Sequence, residues 1–175
     1  MIKAVFFDFD GVLTKDEWEV TTTSRYISEK LGLDLEETCE LYKDSADVWK
    51  VYSGEITEDQ SWKGFYEKLK SANLISMGYN EFKAMRKEAF KSTQLDDKMV
   101  DLVKKIKSGG YFVGLITDNC KERIQAISEV YGFDDLFDVF VVSEEEKAIK
   151  RQGKPFETAL KKVRVDAQET TKTVS

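Results

Sequence analysis

Apolar residues divide this sequence into short apolar runs and longer stretches with helical spacing. Three runs contain almost no polar residue and predict strands buried on both faces: residues 4–7, 111–116 and 139–142. Between the last two runs, apolar residues recur at three- and four-residue spacing, as in an amphipathic helix. The alternation of helices with apolar strands predicts an α/β fold built on a Rossmann-like, doubly wound parallel sheet.

A long helical insert separates the first two strands. From about residue 16 to residue 93, the spacing predicts four helices, and the second of them extends from Leu35 to about Trp49 before a break at residues 53–55. Stripes of this kind usually form contacts between helices rather than a ligand site. We therefore assign residues 1–15 and 94–175 to a core domain and residues 16–93 to an inserted helical domain, called the insert below.

Polar side chains follow each predicted strand. Asp8 and Asp10 come after the first strand, residues 117–119 after the second and Ser143 after the third. The carboxyl ends of parallel strands lie at one edge of the sheet, where open α/β sheets bind ligands. Two carboxylates so close together need a partner, a proton or a cation. Gly11 allows a turn and a close approach of ligand to backbone. The plainer alternative is a capped strand end with two solvated aspartates.

Composition narrows the classes of function. Lys and Arg total 27 and Asp and Glu total 33, giving a net charge of −6 without a basic stripe, so nucleic acid is a poor candidate partner. The sequence has no apolar run of membrane-spanning length and no signal-peptide pattern at its start. Its two cysteines, Cys39 and Cys120, form no disulfide framework. We expect a cytoplasmic protein that binds no membrane.

The absence of histidine narrows the chemistry further. It excludes Ser-His and Cys-His nucleophile pairs and the usual zinc sites. Carboxylates, hydroxyls, lysines and a hard cation such as Mg²⁺ remain. A carboxylate can attack phosphorus, and a second carboxylate can protonate the leaving oxygen and later deprotonate a water. A threonine hydroxyl, backbone N–H groups and a lysine can hold the phosphoryl group.

This arrangement resembles the haloacid dehalogenase superfamily of phosphohydrolases. The first motif is Asp8-Phe9-Asp10-Gly11-Val12-Leu13-Thr14, the second is Leu115-Ile116-Thr117-Asp118-Asn119, and the insert is similar to the superfamily's type 1 helical cap. The resemblance implies that Asp8 is the nucleophile, that Asp10 is the acid/base, and that Asp8 and the Asp10 carbonyl hold Mg²⁺. It implies substrate binding by Gly11, Thr117, Asp118 and Asn119, although Asn119 could equally cap the next helix. An aspartate at position 10 favours phosphoryl transfer over carbon–halogen cleavage.

The third motif of the superfamily is a lysine, for which two candidates exist. Ser143, Lys150 and Phe156 keep the spacing seen in relatives, whereas the proline of that motif follows Lys154. We favour Lys150 as the catalytic lysine and keep Lys154 as the alternative phosphate-binding residue.

The fourth motif is not recognisable. Relatives have a further apolar strand that ends in an acidic pair, one member of which completes the Mg²⁺ site. Residues 171–175 are polar, and Val174 and Ser175 stand where that pair is expected. The sequence therefore predicts a C-terminally incomplete core whose apolar edge, residues 3–7, is unpaired and open to pairing with another chain. A truncated chain, a divergent member that uses Asp118 as a ligand, or a loss of catalysis would each explain this ending.

The sequence thus predicts a Mg²⁺-dependent phosphatase-type hydrolase of a small phosphorylated metabolite, acting through an aspartyl-phosphate, with the insert as the part that selects the substrate. A phosphomutase is a variant of this prediction. The alternative is a non-catalytic relative with a binding or regulatory role. The oligomeric state stays open.

Overall fold

One parallel sheet forms the centre of the chain. The computed structural model describes residues 1–15 and 21–172. Within that part, the strands β1 (Ala4–Phe7), β2 (Phe112–Thr117), β3 (Val139–Val142) and β4 (Thr170–Lys172) lie in the order β3-β2-β1-β4, all parallel. The predicted α/β fold with a parallel sheet is confirmed. The order brings the carboxyl ends of β1 and β2 side by side, because these two strands pair along Ala4–Phe7 and Phe112–Leu115.

The expectation that the outer edge of β1 is unpaired is wrong. Ala4, Val5 and Phe6 pair with Thr170, Thr171 and Lys172 of β4. The backbone N–H of Lys3 extends this pairing by donating to the Glu169 carbonyl at 2.7 Å. Backbone pairing needs no apolar side chain, and threonine favours extended conformations. The edge strand is therefore the short polar β4, and residues 174–175, where the acidic pair was expected, lie outside the described residues.

The described part of the insert contains one helix more than predicted. Its helices are α1 (Thr22–Leu31), α2 (Leu35–Ser45), α3 (Val48–Tyr52), α4 (Glu58–Ser71) and α5 (Tyr79–Lys91). The predicted second helix is interrupted at Asp47, which adopts a left-handed conformation with φ 45° and so separates α2 from α3. Aspartate tolerates this conformation better than most residues, and the apolar spacing on both sides of it hid the break.

Helices cover both faces of the sheet. The helices after the insert are α6 (Asp97–Ser108), α7 (Lys121–Tyr131), α8 (Phe133–Leu136), α9 (Ser143–Glu146) and α10 (Lys154–Val163), with 3-10 turns at Lys150–Gln152 and Ala167–Glu169. Val5 and Phe7 of β1 pack into a cluster with residues of α7 and α8, whereas Ala4 and Phe6 pack towards α10. The alternation of side chains along a buried strand thus requires a helical layer on each side.

An aromatic cluster fills the insert and extends to the core. Trp62 and Phe65 of α4 pack with Phe82 and Phe90 of α5, and all four rings are nearly or fully buried. Cys120 and Ala126 belong to the same cluster, so α7 contacts both the sheet and the insert. No helix in residues 1–15 and 21–172 combines the length and apolarity needed to cross a membrane.

The insert begins and ends at neighbouring positions. Thr14 forms an antiparallel bridge with Leu95, and the Asp96 N–H donates to the Leu13 carbonyl at 2.8 Å. These contacts join the segment that enters the insert to the segment that leaves it, beside the end of β1. The domain division at residues 15/16 and 93/94 stays a prediction.

Candidate active site

Asp8, the first residue after β1, forms an ion pair with Lys150. The Lys150 ammonium contacts Asp8 Oδ2, and the backbone N–H of Phe9 donates to Asp8 Oδ1 at 2.7 Å. Both side chains are only about a fifth exposed, at 22% for Asp8 and 23% for Lys150. The carboxylate is therefore oriented by a cation on one oxygen and by the backbone on the other, at the end of the strand where the first motif begins.

Asp118 aligns the segment that carries Lys150. Its Oδ1 accepts the backbone N–H of Lys150 at 2.8 Å, which joins the end of β2 to the turn before α10. Burial raises the pKa of Asp118, the Lys150 backbone N–H and ammonium oppose the rise, and the negative charge of Asp8 adds to it. Asp118 thus lies close to Asp8 and already has one oxygen engaged.

Lys154 is directed elsewhere. Its ammonium contacts the backbone carbonyl of Glu146 and lies 3.9 Å from the Glu146 carboxylate, and its side chain is 55% exposed. Of the two lysine candidates, the structure brings Lys150 to Asp8 and places Lys154 at α9. The spacing from Ser143, rather than the neighbouring proline, indicated the lysine that reaches the aspartate.

Asp10 is held by a residue that sequence reasoning missed. Arg123 of α7 donates from Nη1 to Asp10 Oδ2 and from Nη2 to Asp10 Oδ1, both at 2.8 Å. Asn119 Nδ2 donates to the same Oδ2 at 2.9 Å. The guanidinium also lies 5.4 Å from the centre of the Phe9 ring. The sequence contained one signal for Arg123, which is its position in the chain. Helix α7 begins directly after the second motif, so the side chains of its first turn must lie near the strand ends.

The residues after β2 form a buried network under these carboxylates. Thr117, Asn119 and Ser143 are at most 1% exposed. The Asn119 N–H donates to Ser143 Oγ at 3.0 Å, and Asn119 Oδ1 accepts the N–H of Cys120 at 3.1 Å. Asn119 thus links β2 and β3 to Asp10 and also satisfies a backbone donor at the start of α7. The predicted meeting of the three strand ends is present in the structure.

Gly11 shapes the turn after the two aspartates. It has φ +74°, a left-handed conformation that L side chains rarely adopt, and its N–H donates to Thr14 Oγ1 at 3.2 Å. Among the described residues, Gly11 and its two chain neighbours aside, no atom lies within 4 Å of the place that a Cβ would occupy. The glycine is therefore needed for the backbone conformation and leaves open space beside the site.

The insert adds a buried acid near this site. Glu58, the first residue of α4, is 8% exposed. Burial raises its pKa to about 7, while Arg86 and the neighbouring Cys120 thiol lower it. Burial also raises the pKa of the Cys120 thiol, which keeps the thiol protonated and unreactive. Cys120 therefore serves the contact between α7 and the insert.

The sequence profile of haloacid dehalogenase-like hydrolases matches residues 2–171. The chain belongs to this family. The match includes both aspartates, the network after β2 and both candidate lysines, so the family assignment covers the whole candidate site. Among curated proteins, no sequence gives a significant match to this haloacid dehalogenase-like hydrolase.

Solved structures share the fold of this haloacid dehalogenase-like hydrolase. A dehalogenase has a TM-score of 0.75 and 17% identity, with 99% of this chain and 76% of that chain covered. An L-2-haloacid dehalogenase from Xanthobacter autotrophicus, with chloropropionic acid covalently bound, has a TM-score of 0.73 and 12% identity over 98% of this chain and 69% of its own. A HAD family enzyme from Bacteroides thetaiotaomicron has a TM-score of 0.67 and 18% identity over 98% and 83%. At sequence identities this low, the structural likeness shows that these proteins share a fold with this chain.

The oxygen donors of this haloacid dehalogenase-like hydrolase suit a hard cation. Mg²⁺ commonly binds one or two carboxylates together with substrate phosphate oxygens and water. The Asp8 carboxylate and the Asp10 backbone carbonyl can supply such a set. Within residues 1–15 and 21–172, no group of three His, Cys, Asp or Glu side chains could hold a metal.

Proposed function

We propose that this haloacid dehalogenase-like hydrolase is a Mg²⁺-dependent phosphatase that cleaves a small phosphate monoester through an aspartyl-phosphate on Asp8. The observation that carries the proposal is the separation of two aspartates, two residues apart, into different environments. Asp8 pairs with Lys150, and Asp10 pairs with Arg123. Asp8 thus lies beside a cation that can neutralise a transferred phosphoryl group, and Asp10 is oriented separately as the proposed acid/base.

In the first step, a carboxylate oxygen of Asp8 attacks phosphorus, and the bond from phosphorus to the leaving oxygen breaks. A proton from Asp10 passes to that oxygen, so the product leaves as a neutral alcohol. Asp10 Oδ2 accepts two hydrogen bonds and Oδ1 accepts one, which makes Oδ1 the better placed oxygen to carry this proton. Lys150, beside Asp8, neutralises charge on the transferred group.

In the second step, Asp10 removes a proton from a water as that water attacks the phosphorus of the aspartyl-phosphate. The bond between phosphorus and Asp8 breaks, which releases phosphate and restores the carboxylate. A Mg²⁺ ion held by the Asp8 carboxylate and the Asp10 carbonyl would supply additional positive charge for the phosphoryl oxygens.

Dehalogenation is the competing assignment, because two of the structural neighbours described above are named dehalogenases. A halide departs as an anion and needs no proton, whereas an alkoxide leaving group must be protonated. An aspartate at position 10 therefore has a task in phosphate ester cleavage and none in carbon–halogen cleavage. This difference in leaving group supports the phosphatase.

The decisive assay measures release of nitrophenol from nitrophenyl phosphate and release of phosphate from an alkyl phosphate, each with Mg²⁺ or with chelator. With Mg²⁺, we expect turnover by the parent and none by Asp8→Asn. The control Asp101→Asn, which changes an exposed residue of α6, should have parental rates. Asp10→Asn should impair the alkyl ester far more than the nitrophenyl ester, since nitrophenolate leaves without a proton.

Three outcomes would contradict the proposal. Equal rates for Asp8→Asn and the parent exclude the aspartyl-phosphate. Chloride release from 2-chloropropionate without phosphate release makes the protein a dehalogenase. Neither turnover nor Mg²⁺ binding, in this chain and in a version extended beyond Ser175, supports the non-catalytic alternative.

A further inference from the structure

The first turn of α7 joins three separate parts of the molecule. Its first three residues are Lys121, Glu122 and Arg123, and each of them binds a different element. The backbone N–H of Lys121 donates to Glu144 Oε2 of α9 at 2.7 Å. Glu122 forms an ion pair with the insert, and Arg123 binds Asp10 at the end of β1. This turn is therefore connected to the core, to the insert and to the proposed acid/base.

The connection to the insert is an ion pair between Glu122 and Arg86 of α5. Arg86 Nη2 lies 2.6 Å from Glu122 Oε2, whereas Arg86 Nη1 lies 3.9 Å from the Oδ1 of Asp59. Arg86 is only 8% exposed, and its buried Nη1 has no hydrogen-bond partner among the residues that the structure describes. Loss of a partner costs a buried charge more than an exposed one. Arg86 therefore depends on Glu122 for its shorter ion pair.

A second acid of α7 also binds α5, but farther from the site. The two carboxylate oxygens of Glu129 lie 2.9 Å from the ammonium groups of Lys87 and Lys91. These ion pairs are more exposed, at 49% for the Glu129 side chain and 56% for that of Lys87. Glu129 lies about two helical turns beyond Glu122. It connects the same two helices without being next to Arg123, and so provides a control for Glu122.

The order of residues in α7 couples the two ion pairs of its first turn. Successive side chains of a helix project about 100° apart, so the contact that fixes Glu122 also fixes the direction of Arg123. Arg123 is 8% exposed, and its two terminal nitrogens each lie 2.8 Å from an oxygen of Asp10. Such a two-point contact is sensitive to orientation. A rotation of this turn would therefore disturb the Asp10 carboxylate.

We propose that Arg86 and Glu122 are positioning residues, which hold the first turn of α7 so that Arg123 orients Asp10. The insert thereby supports the acid/base through α7, without a contact between Arg86 and Asp10 themselves. The inference rests on the proposed phosphatase function for the role of Asp10. The link from Arg86 to the Arg123–Asp10 pair can be measured without turnover.

That link is measured by NMR on the full chain, through the side-chain N–H signals of Arg123, which are identified by their loss in Arg123→Lys. Protons held in charged hydrogen bonds exchange slowly with water. We expect exchange about tenfold faster or more in Glu122→Ala and in Arg86→Met than in the parent. Glu129→Ala removes two ion pairs with α5 and should keep the parental exchange rate.

Two further comparisons make this test specific. The double variant Arg86→Met with Glu122→Ala should exchange no faster than the faster single variant, because the two residues act as one pair. Thermal unfolding shows which variants keep the fold. Glu122 has a side chain that is 55% exposed, so Glu122→Ala keeps the test decisive if the buried Arg86→Met does not fold.

Turnover gives a second, independent measurement. In Glu122→Ala, kcat should fall about three- to tenfold more for an alkyl phosphate than for nitrophenyl phosphate, since only the alkyl leaving group needs a well-placed acid. Glu122→Asp keeps the charge and should recover part of this loss. Glu129→Ala should leave the ratio of the two rates at the parental value.

The outcomes separate the two proposals. Equal Arg123 exchange in the parent and in folded Glu122→Ala overturns the inference, and so does equal acceleration by Glu129→Ala. Faster exchange combined with an equal loss of turnover on both esters also overturns it, because the acid/base is then unaffected. Faster exchange confined to the Arg86 and Glu122 variants, in a chain that hydrolyses no phosphate, would uphold the link to Asp10 and remove the phosphatase.

Discussion

Arg123 holds Asp10 through two parallel hydrogen bonds of 2.8 Å, one to each carboxylate oxygen. Arginine can form such a fork and lysine cannot. The guanidinium comes from α7 and the carboxylate from the end of β1, so this pair fixes Asp10, the proposed acid/base, relative to the helix that also contacts the insert. Under the proposed mechanism, it positions the residue that protonates the leaving oxygen.

Arg123→Lys should therefore lower kcat about tenfold or more, because one charged hydrogen bond to Asp10 is lost and its carboxyl becomes mobile. The loss should be larger for an alkyl phosphate than for nitrophenyl phosphate, since only the alkyl leaving group depends on a well-placed acid. Arg25→Lys, an exposed change on α1, is the control. An equal loss on both substrates would indicate a structural role for Arg123 instead.

The two lysines should differ sharply in their effect on turnover. Lys150→Met removes the charge that contacts Asp8, and we expect kcat to fall about a hundredfold or more. Lys154→Met removes a mostly exposed lysine at Glu146 and should change kcat less than about twofold. Steady-state rates on nitrophenyl phosphate give the comparison. A loss confined to the Lys154 variant would reverse the assignment.

The stability of the protein should fall with rising pH because of Glu58. Its pKa rises from 4.5 to about 7 on folding, so the folded state binds this proton more tightly than the unfolded chain. The free energy of unfolding then decreases between pH 4.5 and about 7, by about 3 kcal/mol in total, and levels off above that range.

Glu58→Gln should remove this loss. We expect the variant to match the parent near pH 4.5 and to be more stable by up to about 3 kcal/mol at pH 8. Urea unfolding at several pH values measures the difference. Glu67→Gln, the same chemical change at an exposed position of α4, should follow the parent throughout. Parallel pH curves for parent and Glu58→Gln would refute the assignment.

Close packing of α2 against α4 should make Gly64 intolerant of a side chain. A Cβ at this position would lie 2.6 Å from the Ser45 carbonyl oxygen. Alanine favours a helix by about 0.5–1 kcal/mol over glycine, but overpacking costs about 1–3 kcal/mol, so Gly64→Ala should lower stability by about 1–2 kcal/mol. Chemical denaturation checks this, with exposed Lys63→Ala expected to change stability by less than about 0.5 kcal/mol. A stabilised Gly64→Ala would mean that the two helices separate easily.

Local pattern predicted the parts of the site that belong to strand ends. Asp8, Asp10, Asn119 and Ser143 each follow an apolar run, and parallel pairing necessarily brings such positions to one edge. The spacing from Ser143 also indicated Lys150. Two predictions failed where local pattern is weak. β4 pairs through backbone groups that polar side chains do not reveal, and the left-handed Asp47 divides a helix whose apolar spacing continues across it.

The sequence by itself determined the alternation of strands and helices, the place of the two aspartates and the absence of histidine chemistry, because these follow from residue type and order along the chain. Tertiary structure alone decided that Arg123 binds Asp10 and that Lys154 is directed to Glu146. Each of these depends on how a helix is rotated and packed against a distant segment. Long-range packing sets that rotation, and the spacing of residues within one helix does not encode it.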